Sequence, residues 1–169
     1  QNFMIHDYFL AKSLDKVTEG GIAAVVTSTG TLDKRNSAAR EYLAQRADLL
    51  GAIRLPNNAF KANAGTEVTT DILFLQKRSE PPVERPSWVD LGQTANGLPV
   101  NQYFADHPDM VLGTIVEGNK LYGGTHGTNT MCIPLEGADL KKQLHQAISK
   151  IHGQIHTAPS LDNVREESE

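Results

Sequence analysis

The feature that most constrains the fold is a continuous apolar run at residues 22–27, Ile-Ala-Ala-Val-Val-Thr. The run is rich in β-branched residues and lacks polar alternation, as expected of a strand covered on both faces in a parallel sheet. Gly20-Gly21 precedes it, and before these glycines residues 3–17 place apolar side chains on one helical face. A helix, a glycine turn and a buried strand in this order predict an α/β fold.

Two further strands are predicted in the first half of the chain. Turn-forming residues at 28–36 predict a loop, and Ser37 is placed to cap a helix over Ala38–Arg46. Strands are predicted at Leu49–Leu55 and at Thr66–Gln76, which has the strongest strand pattern in the chain. The link of about ten residues between them is too short for a crossover helix, so this pair is predicted to be antiparallel.

The second half of the chain is less regular. Three prolines in residues 79–87 indicate a linker between a domain at 1–78 and an α+β extension at 88–156, and residues 157–169 are predicted to be a flexible tail. Within the extension, the segments 111–116 and 130–133 are predicted to pair as a hairpin. A helix is predicted from an apolar stripe, namely Leu140, Leu144, Ile148, Ile151 and Ile155.

Charge and composition bound the classes of function. The net charge is −4, which argues weakly against nucleic-acid binding, and no apolar run approaches the roughly 20 residues of a membrane span. The lone cysteine, Cys132, fits a reducing cytoplasm. Residues 79–169 carry six basic and twelve acidic side chains, whereas residues 28–78 carry five acidic and eight basic ones: Lys34, Arg35, Arg40, Arg46, Arg54, Lys61, Lys77 and Arg78. This asymmetry suggests an anionic partner for the basic region, or simply a solvated helix face.

Four other features have ordinary structural explanations. The glycine-rich segment 123–127 lacks the lysine of a phosphate-binding loop, and a hairpin turn is the default. His152 and His156 have helical spacing but lack a third metal ligand nearby, so no metal site is expected. Cys132 is predicted to be a small buried hydrophobe. Asp7 lies in the first turn of its helix, where the dipole favours a carboxylate.

The segment Leu55-Pro56-Asn57-Asn58-Ala59-Phe60-Lys61 points to a binding site. It follows a predicted strand, so Phe60 is expected on a loop at one end of the sheet. An exposed aromatic ring beside Lys61, Asn57 and Asn58 can stack on a nucleobase while the ammonium group meets a phosphate. The alternative is that Phe60 folds back onto the core as a lid.

A family resemblance rests on several segments that occur in order over residues 1–78. They are Gly20-Gly21-Ile22-Ala23-Ala24-Val25-Val26, Gly30-Thr31-Leu32, Arg40 with Leu43, Leu50-Gly51-Ala52-Ile53-Arg54-Leu55-Pro56 with Phe60, and Thr69-Thr70-Asp71-Ile72-Leu73-Phe74-Leu75-Gln76-Lys77. This series resembles the adenine-N6 DNA methyltransferases, in particular type I restriction-modification methylase subunits and the methylase domains joined to helicases on mobile elements.

The resemblance implies the fifth, sixth and seventh strands of a Rossmann-like methyltransferase sheet that binds S-adenosylmethionine, the last strand antiparallel. The family's glycine-rich motif and its Asn/Asp-Pro-Pro-aromatic motif do not occur in this sequence; Pro81-Pro82 follows Glu80 and precedes Val83. The chain also begins at Gln1, so it is expected to be the C-terminal half of a catalytic domain. It is expected to hold neither catalytic residues nor cofactor by itself.

Several roles follow from the resemblance. Phe60 matches the aromatic residue that packs against the flipped-out target adenine, which implies substrate contacts by Asn57, Asn58 and Lys61 beside it. Lys34 and Arg35, in the loop after residues 22–27, are expected to meet DNA phosphates. The competing hypothesis is a non-catalytic DNA- or protein-binding module with a degenerate methylase fold.

The expected partners are DNA and the missing N-terminal half of the domain, with a helicase or a specificity subunit as further candidates. The strand at 22–27 should lack one neighbour. We expect its exposed edge to be covered by the second half of the chain or by another copy in a homo-oligomer.

Overall fold

The computed structural model of the chain describes residues 4–65, 67–118 and 129–154. Short 3-10 turns occupy Ser87–Val89 and Pro108–Met110. The helices and strands are α1 (Ile5–Lys16), β1 (Ile22–Ser28), α2 (Gly30–Asp33), α3 (Ala38–Ala44), β2 (Ala47–Leu55), α4 (Lys61–Ala64), β3 (Thr70–Lys77), β4 (Leu91–Gln93), β5 (Pro99–Asn101), α5 (Gln102–Asp106), β6 (Thr114–Glu117), β7 (Thr130–Ile133) and α6 (Leu140–Ser149). The fold is α/β, as predicted, with small antiparallel sheets.

The main sheet has the strand order β1-β3-β2. Strand β3 runs antiparallel to both neighbours, which confirms the predicted antiparallel pairing of the second and third strands. Strands β1 and β2 therefore point in the same direction, on either side of β3. Strand β3 begins at Thr70 rather than Thr66, because Thr70 lies opposite Ser28 and Leu55, the last residues of the two neighbouring strands.

The prediction that residues 22–27 are covered on both faces is wrong for the described structure. Strand β1 lies at the edge of the sheet, and its residues alternate between exposed and half-buried. Ile22 is 52% and Val26 is 56% exposed, and both side chains lie on the same face of the sheet. The composition of the run is that of a covered strand, but within the described residues nothing covers this face near Val26.

At β2, Gly51–Leu55 are buried on both faces of the sheet. Toward β1, the core lies on the face opposite Val26 and continues into the extension. Leu14 of α1, Leu43 of α3, and Leu73 and Leu75 of β3 are buried there. The same cluster includes buried residues from beyond the proline-rich segment 79–87, namely Trp88, Val89, Val100, Phe104, Met110, Leu112, Ile115 and Ala147. The domain boundaries at 78 and 88 remain a prediction, but these side chains share one continuous core.

The extension attaches to the outer edge of β2. The backbone N–H of Leu112 donates to the carbonyl of Arg54 at 2.9 Å, and Val111 forms a parallel bridge with the same residue. Strands β6 and β7 pair as an antiparallel hairpin, as predicted. The glycine-rich residues 123–127 and the predicted tail 157–169 lie outside the described residues. No helix in the described ranges is long and apolar enough to cross a membrane.

Candidate functional site

The loops that carry the predicted site residues leave the sheet at one end. Ser28, Thr70 and Leu55 lie in a single row across the three strands. Since β1 and β2 end in this row and β3 begins there, the loop after β1 and the connection between β2 and β3 lie side by side. The ends of neighbouring strands are where open α/β sheets bind ligands. We call this region the strand-end surface, defined by residues 29–36, 56–65 and 67–69.

Phe60 lies partly in the core and partly on the strand-end surface. A turn at Pro56–Phe60, in which the Ala59 N–H donates to the Pro56 carbonyl at 3.0 Å, leads into α4. Gly65 ends this short helix in the left-handed region, with φ of 65°. The Phe60 ring is half-buried and packs against the core. The ring is therefore held by the core but is not fully enclosed by it.

The residues around Phe60 differ in what they offer a ligand. Asn58 and Lys61 are exposed, whereas Asn57 is half-buried and donates its backbone N–H to the carbonyl of Cys132 at 2.8 Å. The Lys61 ammonium lies 2.5 Å from Glu67 Oε1. The hydrogen bond to Glu67, together with its charge, raises the pKa of Lys61. Lys61 is therefore a fully charged, exposed cation that an anionic ligand must share with Glu67.

Lys34 does not have the predicted phosphate-facing position. It is 8% exposed and is ion-paired with Asp7 of α1, which also accepts a hydrogen bond from Thr31 at 3.1 Å. The buried carboxylate of Asp7, itself 2% exposed, holds the ammonium group inside the protein. A phosphate contact by Lys34 does not fit this geometry. Its neighbour Arg35 is exposed and forms no ion pair with any described residue.

A buried charge cluster, Arg54 with Asp71 and Asp33, lies directly beneath the strand-end surface. The guanidinium donates to both Asp71 oxygens at 2.8 and 2.9 Å and to Asp33 Oδ2 at 2.8 Å. It also lies 4.5 Å from the centre of the Phe104 ring. Burial alone would lower the pKa of Arg54, but the two carboxylates outweigh it and raise the pKa, so the group stays charged.

Sequence reasoning missed this cluster, although a signal was present. Arg54 and Asp71 are the charged residues at opposed positions of the two strands that were predicted to be antiparallel. Cross-strand pairs of opposite charge are a recognised source of sheet stability. Asp33 gave no such signal, because its contact with Arg54 spans 21 residues and depends on how the loop after β1 folds.

Buried polar contacts also join the loop after β1 to the extension. The Asn101 side-chain amide donates to the carbonyls of Leu32 and Trp88, both at 2.8 Å, and the Asn101 backbone N–H donates to Asp33 Oδ1 at 2.9 Å. Arg40, 1% exposed, donates to the carbonyls of Val89 and Lys34. Burial lowers the pKa of Arg40, with nearby carboxylates acting in the opposite direction.

Three of the eight basic side chains in residues 28–78 are therefore internal. Lys34, Arg40 and Arg54 are buried, and Arg78 is paired with Asp48 at 2.5 Å. The charge asymmetry read from the sequence thus overstates the basic character of the surface. Arg35 and Lys61 are the exposed cations of the strand-end surface.

Two of the minor candidates, Cys132 and His152, lie within the part of the chain that the structure describes. Cys132 is buried, as predicted, and burial raises the pKa of its thiol to about 12, so it is no nucleophile in the folded chain. His152 is exposed, and His156 lies outside the described residues. No group of three or more potential metal-ligating His, Cys, Asp or Glu side chains occurs among the residues that the structure describes.

A shallow apolar groove separates α1 from β1. Its walls are formed mainly by Ile5, Phe9, Leu10, Val25 and Val26, and its polar side chains are those of His6, Ser13 and Thr27. The groove thus lacks a carboxylate that could bind the ribose hydroxyls of a nucleoside. These lining residues do not fit S-adenosylmethionine by themselves.

Comparison with known proteins gives two matches. A family model described as N-6 DNA methylase matches residues 2–96, more than half of the chain. The defense against restriction protein B of Escherichia phage P1 is 35% identical over 71 residues. That alignment covers 41% of this chain but 3% of the phage protein, so the chain spans a small part of this relative's length.

Proposed function

The chain belongs to the N-6 DNA methylase family, and on this premise we propose that it is the target-binding part of an adenine-N6 DNA methyltransferase. The observation that carries the proposal is the strand-end surface, where Phe60 presents part of its ring beside the exposed side chains of Asn58 and Lys61. An enzyme that modifies a base takes it out of the stack and holds its face against an aromatic or apolar side chain.

The topology supports the assignment of the strands. Strands β1 and β2 run in the same direction and flank β3, which runs against both. The resemblance implies the fifth, sixth and seventh strands of a Rossmann-like methyltransferase sheet, with the last strand antiparallel, and β3 runs antiparallel to both of its neighbours. With this arrangement of strands, we expect the loops after β1 and β2 to face the DNA.

Each residue of the strand-end surface has a role in the proposal. The Phe60 ring stacks on the extruded adenine, and the amides of Asn57 and Asn58 are available for hydrogen bonds to its polar edge. Lys61 and Arg35 contact backbone phosphates, which attracts DNA without reading its sequence. Lys34 is buried and contributes indirectly: its ion pair with Asp7 holds in place the loop that carries Arg35.

S-adenosylmethionine supplies the methyl group in such enzymes. We propose that in the intact protein residues outside this sequence hold it, because the family's cofactor and catalytic motifs do not occur here. The 169 residues alone should show neither S-adenosylmethionine binding in calorimetry nor methyl transfer to DNA. Methyl transfer to DNA above background would contradict the proposal that the residues for cofactor binding and catalysis lie outside this sequence. The name of the phage relative, defense against restriction protein B, accords with a restriction-modification or mobile-element setting.

The open edge of β1 supports a partner for this half-domain. Ile22 and Val26 are exposed on one face of β1, and Ile5 and Phe9 of α1 are 68% and 61% exposed on the other. A strand added to this edge would be flanked by apolar surface on both sides. Among the described residues, the second half of the chain contacts the β2 edge and adds no strand to β1. We propose that the remaining half of the methylase domain adds here; a symmetric homo-oligomer is the competing arrangement.

The Phe60 assignment can be tested with a DNA duplex that carries one adenine opposite an abasic site, a base that is easily extruded. Fluorescence anisotropy of the labelled duplex gives the dissociation constant. We expect Phe60→Ala to weaken binding by about tenfold or more, the range of one lost stacking contact, and Phe60→Trp to retain it. Phe9→Ala removes an exposed aromatic ring from α1 that is not part of the strand-end surface, and it should leave the affinity unchanged.

The outcomes separate the two classes of function. Equal binding by Phe60→Ala and the unaltered chain would remove Phe60 from the target site. Binding that shows no preference for the duplex with the abasic site would favour a general DNA-binding module. Complete absence of DNA binding by the chain would contradict a DNA-contacting role and favour a protein-docking module.

A further inference from the structure

One residue of the extension holds both ends of the connection that carries Phe60. The backbone carbonyl of Cys132 accepts a hydrogen bond from Asn57 N–H at 2.8 Å, at the start of this connection. The backbone N–H of Cys132 donates to the Thr69 hydroxyl at 2.9 Å, at its end. We call these two hydrogen bonds the Cys132 clasp.

The clasp is anchored to the body of the protein. Cys132 lies in the β6–β7 hairpin, and the segment before β6 is bonded to β2 through Leu112 and Arg54. The hairpin packs so tightly on this segment that a Cβ at Gly113 would lie 2.2 Å from the Ile133 carbonyl oxygen and 2.7 Å from Cys132 Sγ. The clasp therefore fixes the position of the connection relative to β2.

The described parts of the connection have little else to hold them. Helix α4 spans four residues, and its side chains are exposed. The Lys61–Glu67 pair is exposed too, with 66% and 54% of the two side chains accessible, and such pairs contribute little to stability. Apart from the packing of Ala59 and Phe60 against the core, the clasp is the main connection of the described part of this segment to the rest of the chain.

We infer that the extension positions the base-binding segment through the Cys132 clasp, and that Thr69 is a positioning residue for Phe60. This inference rests on the proposed function for its consequence in DNA binding, but the clasp itself can be tested without DNA. It also gives the described part of the extension, residues 88–118 and 129–154, a role in aligning the strand-end surface. Such alignment matters because a stacking residue must be held close to its productive geometry to be effective.

The test compares Thr69→Val, which keeps the shape of the side chain and removes the acceptor, with Thr69→Ser, which keeps the hydroxyl. Thr94→Val is a matched control, because the Thr94 hydroxyl accepts the Leu98 N–H at 3.0 Å in the turn between β4 and β5, away from the strand-end surface. Thermal unfolding confirms that each variant is folded. Hydrogen–deuterium exchange of residues 58–64 and anisotropy with the abasic-site duplex are then measured.

For Thr69→Val we expect exchange in residues 58–64 to accelerate about fivefold and the affinity for the extruded adenine to fall about fivefold, as for one hydrogen bond lost. Affinity for a fully paired duplex should change less, because phosphate contacts need no aligned ring. Thr69→Ser and Thr94→Val should resemble the unaltered chain in both measurements.

Unchanged exchange in Thr69→Val would overturn the clasp. Faster exchange with unchanged affinity for the extruded adenine would overturn its role in positioning Phe60. If the unaltered chain binds no DNA, the proposed function fails, and the exchange result alone decides whether the clasp holds the segment.

Discussion

The two edges of the main sheet have opposite environments. At the β2 edge, the extension adds a backbone hydrogen bond from Leu112 to Arg54. Arg54, the penultimate residue of β2, is 1% exposed. At the β1 edge no described strand follows, and Val26 is 56% exposed. Both strands are predominantly apolar, so composition does not distinguish them. The two edges differ in whether another described part of the chain packs against them.

The difference indicates how the molecule divides its stability and its interactions. The β2 edge is closed by the chain itself, and its contacts hold the strand-end surface in place. The β1 edge exposes a flat apolar strand, which isolated soluble domains generally avoid. We therefore expect substitutions near β2 to change the free energy of unfolding, and equivalent substitutions on β1 to change association instead.

The largest effect is expected from Arg54→Met. The substitution removes the cation that compensates two buried carboxylates, Asp33 and Asp71. Breaking a buried ionic cluster in this way costs about 3–5 kcal/mol, measured as the free energy of unfolding in urea. The control is Arg78→Met, which breaks the half-exposed pair with Asp48 and should cost about 1 kcal/mol or less. Equal losses in the two variants would show that burial of the Arg54 cluster contributes nothing specific.

The two edges can be compared most directly through two residues in one row of the sheet. Val26 of β1 and Ile53 of β2 both lie beside Ile72 of β3, on the same face. Ile53 is fully buried, so Ile53→Ala should cost about 2–5 kcal/mol. Val26→Ala, at an exposed position, should cost less than about 1 kcal/mol. If the two variants lose similar stability, β1 is covered in solution by something that the described residues do not include.

These two edges also show what sequence could predict. Helices α1, α3 and α6 and the three strands of the main sheet followed from apolar spacing and turn residues, whereas the short helices α2, α4 and α5 were not predicted. The bounds of α1, α3 and the three strands agree with the structure within about four residues, and α6 ends at Ser149 although the apolar stripe extends to Ile155. The antiparallel β2–β3 pairing followed from the short connection. The edge position of β1 did not, because a run such as residues 22–27 has the same composition whether or not a neighbouring strand is present.

The candidate site was predictable in its location but not in its electrostatics. Placing Phe60 and Arg35 at one end of the sheet required only the order of strands and loops. The burial of Lys34 depends on Asp7, 27 residues earlier, and that of Arg54 on a contact 21 residues away. Contacts at such separations follow from the packing of whole elements, which local patterns do not encode.

At the open edge, the expected change is in association and not in folding. Val26→Lys places a charge on the apolar face of β1, a feature by which edge strands avoid pairing. It should reduce any concentration-dependent association seen in light scattering, while the free energy of unfolding changes by less than about 0.5 kcal/mol. The matched control is Val83→Lys, at another exposed valine outside the sheet. Association that survives Val26→Lys would place the contact elsewhere.

The smallest effect is expected at the closed edge, from the exposed pair between Asp109 and Lys150, 2.7 Å apart. The hydrogen bond from Lys150 lowers the pKa of Asp109. A carboxyl whose pKa is lower in the folded chain stabilises it above the ordinary value of about 3.9, and this contribution is lost as the pH falls through the folded-state pKa. Asp109→Asn should therefore cost about 0.2–0.5 kcal/mol at neutral pH, the range for exposed pairs, and nothing once the carboxyl is protonated. Urea unfolding at both pH values gives the difference; a loss as large as that of Arg54→Met would mean that exposed and buried charges hold the extension equally.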